Sequence, residues 1–135
     1  MKKLNILLSL CLLLCVSAVH AQSSNDTTTA KTFLMLQQTG QFEKAHALLD
    51  TLATKTVSAA QLKKAWEEQL VARHGKFIAA HFTSQKEELG YNAVYEKCTF
   101  EKNVVDLRVV FSKSHKILGY VVAGITPVAG SGTAK

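Results

Sequence analysis

The feature that most restricts what this chain can fold into is a change of hydrophobic period at Gly75-Lys76. Before it, apolar residues recur at near-helical spacing; after it they alternate every second residue, as in half-buried strands. Helical segments followed by strands make an α+β domain, with helices packed on one face of an antiparallel sheet. Three helices are expected. The first carries Phe33, Leu34 and Leu36 and ends at the Thr39-Gly40 break. The second presents Phe42, Ala45, Leu48, Leu49 and Leu52, and the short break between them implies an αα-hairpin. Ser58 with Gln61 three residues later reads as a capping box opening the third helix, which runs to about Arg73 with Leu62, Ala65, Trp66 and Leu70 buried. His74 in the last turn and Gly75 just beyond suit a helix C-terminus.

Four strands follow. They are expected around residues 77–83, 91–100, 104–111 and 117–125, with a charged turn at 85–90 and hairpin turns at 101–103 and 112–116. In the third, Val105, Leu107, Val109 and Phe111 form one apolar face against Val104, Asp106, Arg108 and Val110. The fourth is apolar on both faces, which places it near the sheet centre or under the helices. The last three strands then form an antiparallel meander, and a curved sheet wrapped over the helices buries the most apolar surface.

The N-terminus reads as an address. Lys2 and Lys3, an apolar run from Leu4 to Val16, and Val19-His20-Ala21 match a secretory signal peptide spanning residues 1–21. Asn5, Ser9 and Ser17 interrupt the run, which argues against a spanning helix of about 20 apolar residues. Residues 22–29 are expected as a polar spacer without fixed structure, 30–126 as one α+β domain, and 127–135 as a flexible tail. Of 135 residues, 114 remain after the leader, enough for one domain and too few for two ordinary ones. Export to a periplasm or the extracellular space is the expected localisation, with no membrane association after cleavage.

Composition excludes several function classes. With 47% hydrophobic residues and a single proline, the chain is neither disordered nor a collagen-like repeat. Net charge falls from +6 to +4 when Lys2 and Lys3 leave with the leader, and the remaining Lys and Arg are scattered among acids. No basic stripe of the kind that binds nucleic acid results. Cys11 and Cys15 leave with the leader, so Cys98 is the one mature cysteine and no internal disulfide is expected. His46, His74, His81 and His115 lie on different elements, without metal-ligand spacing. No metal and no cofactor are expected.

The segments Gly40-Gln41-Phe42-Glu43-Lys44-Ala45, Leu62 with Trp66 and Leu70, Gly75-Lys76-Phe77, Cys98-Thr99-Phe100-Glu101, Val109-Val110-Phe111 and Lys116-Ile117-Leu118-Gly119-Tyr120 occur in an order and spacing that carry a resemblance. The chain resembles a family of exported bacterial domains of unknown function, often found ahead of a secreted α/β-hydrolase and sometimes alone. The resemblance implies the cone fold of cystatin-like and nuclear-transport-factor-like proteins, and no functional residues to transfer. The hydrolase is not part of this chain: no Gly-x-Ser-x-Gly elbow occurs.

Candidate site residues come from the inner face of such a cone, where a ligand pocket forms between sheet and helices. Trp66, Tyr95, Glu96, Cys98, Phe100 and Tyr120 are the expected lining. If the second strand is regular, Val94, Glu96, Cys98 and Phe100 share the inward face. Glu96 then has its pKa raised by desolvation and can act as a general base. If a bulge falls between Tyr95 and Cys98, then Tyr91, Ala93, Tyr95, Cys98 and Phe100 point inward and Glu96 faces water. The bulge is favoured, because burying an unpaired charge costs several kcal/mol. Cys98 is expected to pack rather than react.

The leading functional expectation is a non-catalytic domain that binds a small apolar ligand or a protein partner. One rival is a cone-fold acid/base enzyme of isomerase or dehydratase type using Glu96 or Asp106, with Tyr95 or Tyr120 orienting substrate. Another is a homodimerisation module whose open sheet face, carrying Asp106, Arg108 and Val110, meets a second copy.

Overall fold

The computed structural model describes residues 18–130. Residues 1–17 and 131–135, which hold most of the expected leader and the end of the expected tail, lie outside the described residues. Helix α1 (Ala18–Gln38) comes first, then α2 (Phe42–His46), α3 (Thr51–Thr54), α4 (Ala59–Lys64), a π-helical segment (Ala65–Val71) and α5 (Ala72–His74). The strands β1 (Phe77–Glu88), β2 (Tyr91–Phe100), β3 (Asn103–Phe111) and β4 (Ile117–Pro127) form one antiparallel meander in the order β1-β2-β3-β4. The class is α+β. No helix among the described residues is long and apolar enough to cross a membrane.

Helix α1 overturns one expectation. Residues 22–29, expected to lack fixed structure, are helical, and Asp26 is 1% exposed. Asp26, Ala30, Phe33, Leu34 and Gln37 are all buried and share one face at helical spacing. The polar end of that face is held by tertiary hydrogen bonds: Asn92 Nδ2 donates to Asp26 Oδ2 at 2.5 Å, and His115 Nδ1 lies 3.0 Å from Asp26 Oδ1. Thr27 Oγ1 also donates to Gln85 Oε1 at 3.2 Å. Composition alone reads these residues as solvated because their partners are about 60 or more residues away. The helix ends in a Schellman motif, with Gln41 N–H donating to Leu36 O and Gly40 N–H to Gln37 O. Gly40 takes the left-handed conformation there, at φ 75°.

The expected second helix is interrupted. Asp50 caps α3 by accepting from Leu52 N–H at 2.9 Å. Its own N–H donates to Ile117 O at 2.7 Å, while Ile117 N–H donates to Leu48 O at 3.2 Å. Pairing with the start of β4 breaks the helix and leaves Leu52 exposed, not on the buried face. The third helical run keeps its capping box: Ser58 N–H donates to Gln61 Oε1 at 2.7 Å and Gln61 N–H to Ser58 Oγ at 3.2 Å. Gly75 closes it at φ 85°. A Cβ there would stand 2.8 Å from Glu101 Cβ, so only glycine fits without a shift.

Three strand expectations are also corrected. The charged turn at 85–90 is mostly strand, because Lys86, Glu87 and Glu88 pair across to Ala93, Asn92 and Tyr91. Only Leu89 and Gly90 form the turn, both at positive φ, as a type I′ hairpin requires. The favoured bulge in β2 is absent: β2 pairs regularly with β3, and the irregularities lie in β1, between Phe77 and Ala79 and between Phe82 and Ser84. Finally, β4 is not central. It is the sheet edge, with Val121, Val122 and Ile125 about half exposed. Beyond it, Val128 N–H donates to Lys102 O at 3.1 Å, which ties down the first residue after β4.

The helices cover one face of the sheet. Val94, Cys98 and Phe100 of β2 and Val105, Leu107, Val109 and Phe111 of β3 are fully buried against Phe33, Leu34, Trp66 and Leu70. Trp66, Phe77 and Phe100 form an aromatic cluster with ring centroids 5.5–6.2 Å apart.

Candidate functional site

The helical run from Ala59 to His74 faces β4 across an open gap, and contacts at the two ends of β4 bound it. At one end Leu49 bridges Ile117. At the other, Asn103 Nδ2 lies 2.8 Å from His74 Nδ1, and Asn103 pairs with Pro127 at the far end of β4. A cleft of about 630 Å³ runs between them. Gln61, Leu62, Ala65, Gln69, Leu70 and Arg73 form its helical side, and Tyr120, Val122 and Ile125 lie opposite. Phe33, Leu49, Ala53 and Val57 line it too, with His74 at the Arg73 end.

Local sequence explains this wall. Gln61, Ala65, Gln69 and Arg73 repeat every four residues, beside a buried row of Leu62, Trp66, Leu70 and His74 at the same interval. In a straight α-helix such rows drift around the axis, since 3.6 residues make a turn. The wider π segment from Ala65 to Val71 turns them back. Gln61, Ala65, Gln69 and Arg73 therefore all reach the cleft, as do Leu62, Leu70 and His74 of the buried row, while Trp66 packs on Phe77 and Phe100.

Gln69, Arg73 and His74 lie toward one end of the cleft, and the Gln61 amide stands toward the other. Burial first, and the neighbouring Arg73 charge second, hold the His74 imidazole below its ordinary pKa. The Asn103 amide NH2 can only donate, so His74 Nδ1 accepts and the ring proton sits on Nε2. His74 also packs against Phe100, with centroids 5.8 Å apart. Arg73 is exposed and has no ion pair among the described residues. Further along, Tyr120 donates to Gln37 Oε1 at 3.3 Å and packs edge-on against Phe33. Burial pushes its phenol up to about 12.

The six residues expected from sequence are not brought together. Tyr120 alone of them lines the cleft. Trp66, Cys98 and Phe100 are core. Tyr95 is on the opposite face, half-buried, donating to Glu88 Oε1 at 2.6 Å beneath the Lys86 ammonium. Glu96 points inward after all, 2% exposed, because β2 is regular. Its carboxyl is held above the ordinary range by desolvation, an effect that Lys31 opposes, and its Oε1 has no hydrogen-bond partner. It is set back from the cleft: Glu96 pairs with Leu107, which pairs with Val122 at the cleft wall. Two strand spacings, roughly 10 Å, separate them. Cys98 is equally sealed, and burial pushes its thiol up to about 12, which leaves little thiolate at neutral pH.

The outer face carries a different chemistry. Arg108 pairs with Glu88 at 2.6 Å, and Lys97 with Asp106 at 3.6 Å. Asp106 and Arg108, expected to meet a second copy, are thus already engaged within the chain. Among the described residues no cluster of three or more His, Cys, Asp or Glu side chains could hold a metal ion. The cleft went unread in the sequence because one of its walls is the edge strand, expected to be central. The four-residue ladder of Gln61, Ala65, Gln69 and Arg73 was the available signal.

No curated protein and no solved structure gives a significant match to this chain. The match that exists follows the fold from the buried face of α1, through the helical wall and the first three strands, to Tyr120 in the cleft: the family described as Protein of unknown function (DUF3887) covers residues 30–120, well over half of the chain. The protein belongs to that uncharacterised domain family.

Proposed function

We propose that this protein is an exported, non-catalytic binding domain whose cleft between the Ala59–His74 run and β4 takes a small, largely apolar ligand. The observation that carries the reading is the cleft itself: about 630 Å³, walled mostly by apolar side chains, with a few polar groups among them. That volume and that mixture are those of small-molecule sites. The cone fold of nuclear-transport-factor-like and cystatin-like domains fits the same arrangement, with helices on one face of a four-stranded meander. Export to the periplasm or beyond rests on the Lys2-Lys3 start, the apolar run and Val19-His20-Ala21.

Titration with N-phenyl-1-naphthylamine, a neutral apolar probe that fluoresces when desolvated, tests the reading. Saturable enhancement in the wild type, lost in Val122→Trp with the thermal midpoint preserved, is the expected result. Enhancement that is absent, or equal in both proteins, removes the cleft as a binding site.

An acid/base enzyme is the second reading, favoured by the inward, unpartnered Glu96 carboxyl. It requires substrate to pass Leu107, and Glu96→Gln would then abolish turnover without moving probe affinity. The homodimer reading needs the outer sheet face, and sedimentation at increasing concentration tests it directly.

A further inference from the structure

We infer that the ligand of this cleft is a singly charged anionic amphiphile, an alkyl chain ending in a carboxylate, bound with its acid at Arg73 and His74 and its chain running toward Leu49 and Val57. The inference rests on the cleft being a binding site at all, and it adds the charge, the polarity and the direction of the occupant.

Three observations carry it. The first is the charge of the lining: Arg73 is the one charged residue among those that line the cleft, and no acid joins it. A cationic ligand would meet an uncompensated like charge, and a neutral one would leave the guanidinium unused. A monoanion balances it, and the guanidinium fork matches a carboxylate in two parallel hydrogen bonds. The acid packed on Gly75 near this end, Glu101, is already committed: its Oε2 accepts from Lys76 N–H at 2.8 Å.

The second is the placement of donors. His74 Nδ1 is occupied by Asn103, so Nε2–H is the ring's remaining donor. One turn back, Gln69 supplies an amide on the same wall. Cation and donors sit at the same end. The third is length and polarity gradient. From Gln61 to Arg73 the helical wall extends at most about 18 Å, the α-helical rise being an upper bound across the π segment. Away from Arg73 the lining becomes Leu49, Ala53 and Val57, with Phe33 beside them and one polar side chain, Gln61, whose Oε1 already accepts from Ser58 N–H. An elongated apolar trough with one cationic end selects an amphiphile over a compact solute.

Displacement of N-phenyl-1-naphthylamine from the purified protein separates this inference from the reading beneath it. Dodecanoate, dodecanol, dodecyl phosphate and dodecylammonium serve as competitors of equal chain length. The expected order is dodecanoate first, with dodecanol and dodecylammonium about tenfold weaker or more, as loss of a charge-assisted hydrogen bond implies. Arg73→Ala should weaken dodecanoate by the same factor, leave dodecanol unchanged, and be restored in part by Arg73→Lys. Arg73 is exposed, so both variants should unfold at the wild-type midpoint. Equal displacement by dodecanoate and dodecanol, with Arg73→Ala altering neither, overturns the anionic ligand and leaves the apolar cleft standing. Tighter binding of dodecyl phosphate overturns the single charge. Failure of the probe itself to bind removes the underlying reading along with the inference.

Discussion

Strands β2 and β4 invert what their compositions suggest. β2 carries Tyr91, Asn92, Glu96 and Lys97, yet lies inside the sheet with Val94, Glu96, Cys98 and Phe100 sealed beneath the helices. β4 reads Ile-Leu-Gly-Tyr-Val-Val-Ala-Gly-Ile, yet forms the edge, with Val121, Val122 and Ile125 about half exposed. A strand's burial is decided by what lies on either side of it, and composition is a poor guide when a functional surface needs apolar side chains in the open. Under the proposed function the difference also divides stability from binding. β2 is where a substitution should unfold the domain, and β4 is where one should change what it holds.

The sharpest test of that division is Phe100→Ala. Removing a fully buried ring from the aromatic cluster should cost about 3–5 kcal/mol in chemical denaturation. A loss as small as that of a surface residue would break the comparison. Next comes Glu96→Gln, which should raise stability at pH 7, because the neutral amide of the same size removes the desolvated charge.

The pH dependence gives this prediction its sign. Desolvation holds the folded Glu96 carboxyl above its ordinary pKa of 4.5. Its stabilising contribution is therefore full below pH 4.5 and is lost as pH rises through the folded value. His74 has the opposite sense: its folded pKa lies below 6.5, so its contribution is present above pH 6.5 and is lost as pH falls through the folded value. In the wild type the two slopes oppose one another. In Glu96→Gln only the His74 slope remains of the pair, and unfolding free energy measured from pH 4 to 7 should rise more steeply than in the wild type.

Gly75→Ala should cost about 1–3 kcal/mol, because φ 85° is strained for alanine and its Cβ meets Glu101. The readout is the thermal midpoint, and an unchanged value would mean that the helix-to-strand corner yields freely. On the edge strand, Val122→Ala should change stability by no more than about 0.5 kcal/mol while weakening N-phenyl-1-naphthylamine binding. A large loss of stability there would erase the contrast with β2. The smallest effect belongs to Lys97→Ala on the outer face. Its ion pair with Asp106 is solvent-exposed and contributes at most about 0.5 kcal/mol by denaturation.

Much of the fold was legible locally. The period change at Gly75, the Ser58 capping box and the inward row of β3 rest on neighbours within a few residues, so sequence spacing reports them directly. The errors have other causes. The helical spacer around Asp26 depends on Asn92 and His115. The break before α3 depends on Ile117. The strand character of Lys86–Glu88 depends on its pairing with β2. The first two are long-range partners that override a local preference; the third is a local hairpin whose tight Leu89-Gly90 turn keeps charged residues in the strand.

The candidate site shows the same boundary. A row of Gln61, Ala65, Gln69 and Arg73 could be read along one helix, but not the surface it faces. Predicting Glu96 required knowing whether β2 was regular, and predicting the cleft required knowing which strand was last in the sheet. By itself the sequence determined the α+β class, the element order and which residues have the chemistry to cap, pack or pair, because these follow from backbone propensity and periodicity over a few residues. Only the tertiary structure decided that a carboxylate would be buried, that the most apolar strand would stand at the edge, and that Arg73 would look across a trough at Val122 and Ile125. Those outcomes depend on contacts between segments far apart in the chain, whose order in the sheet no local period encodes.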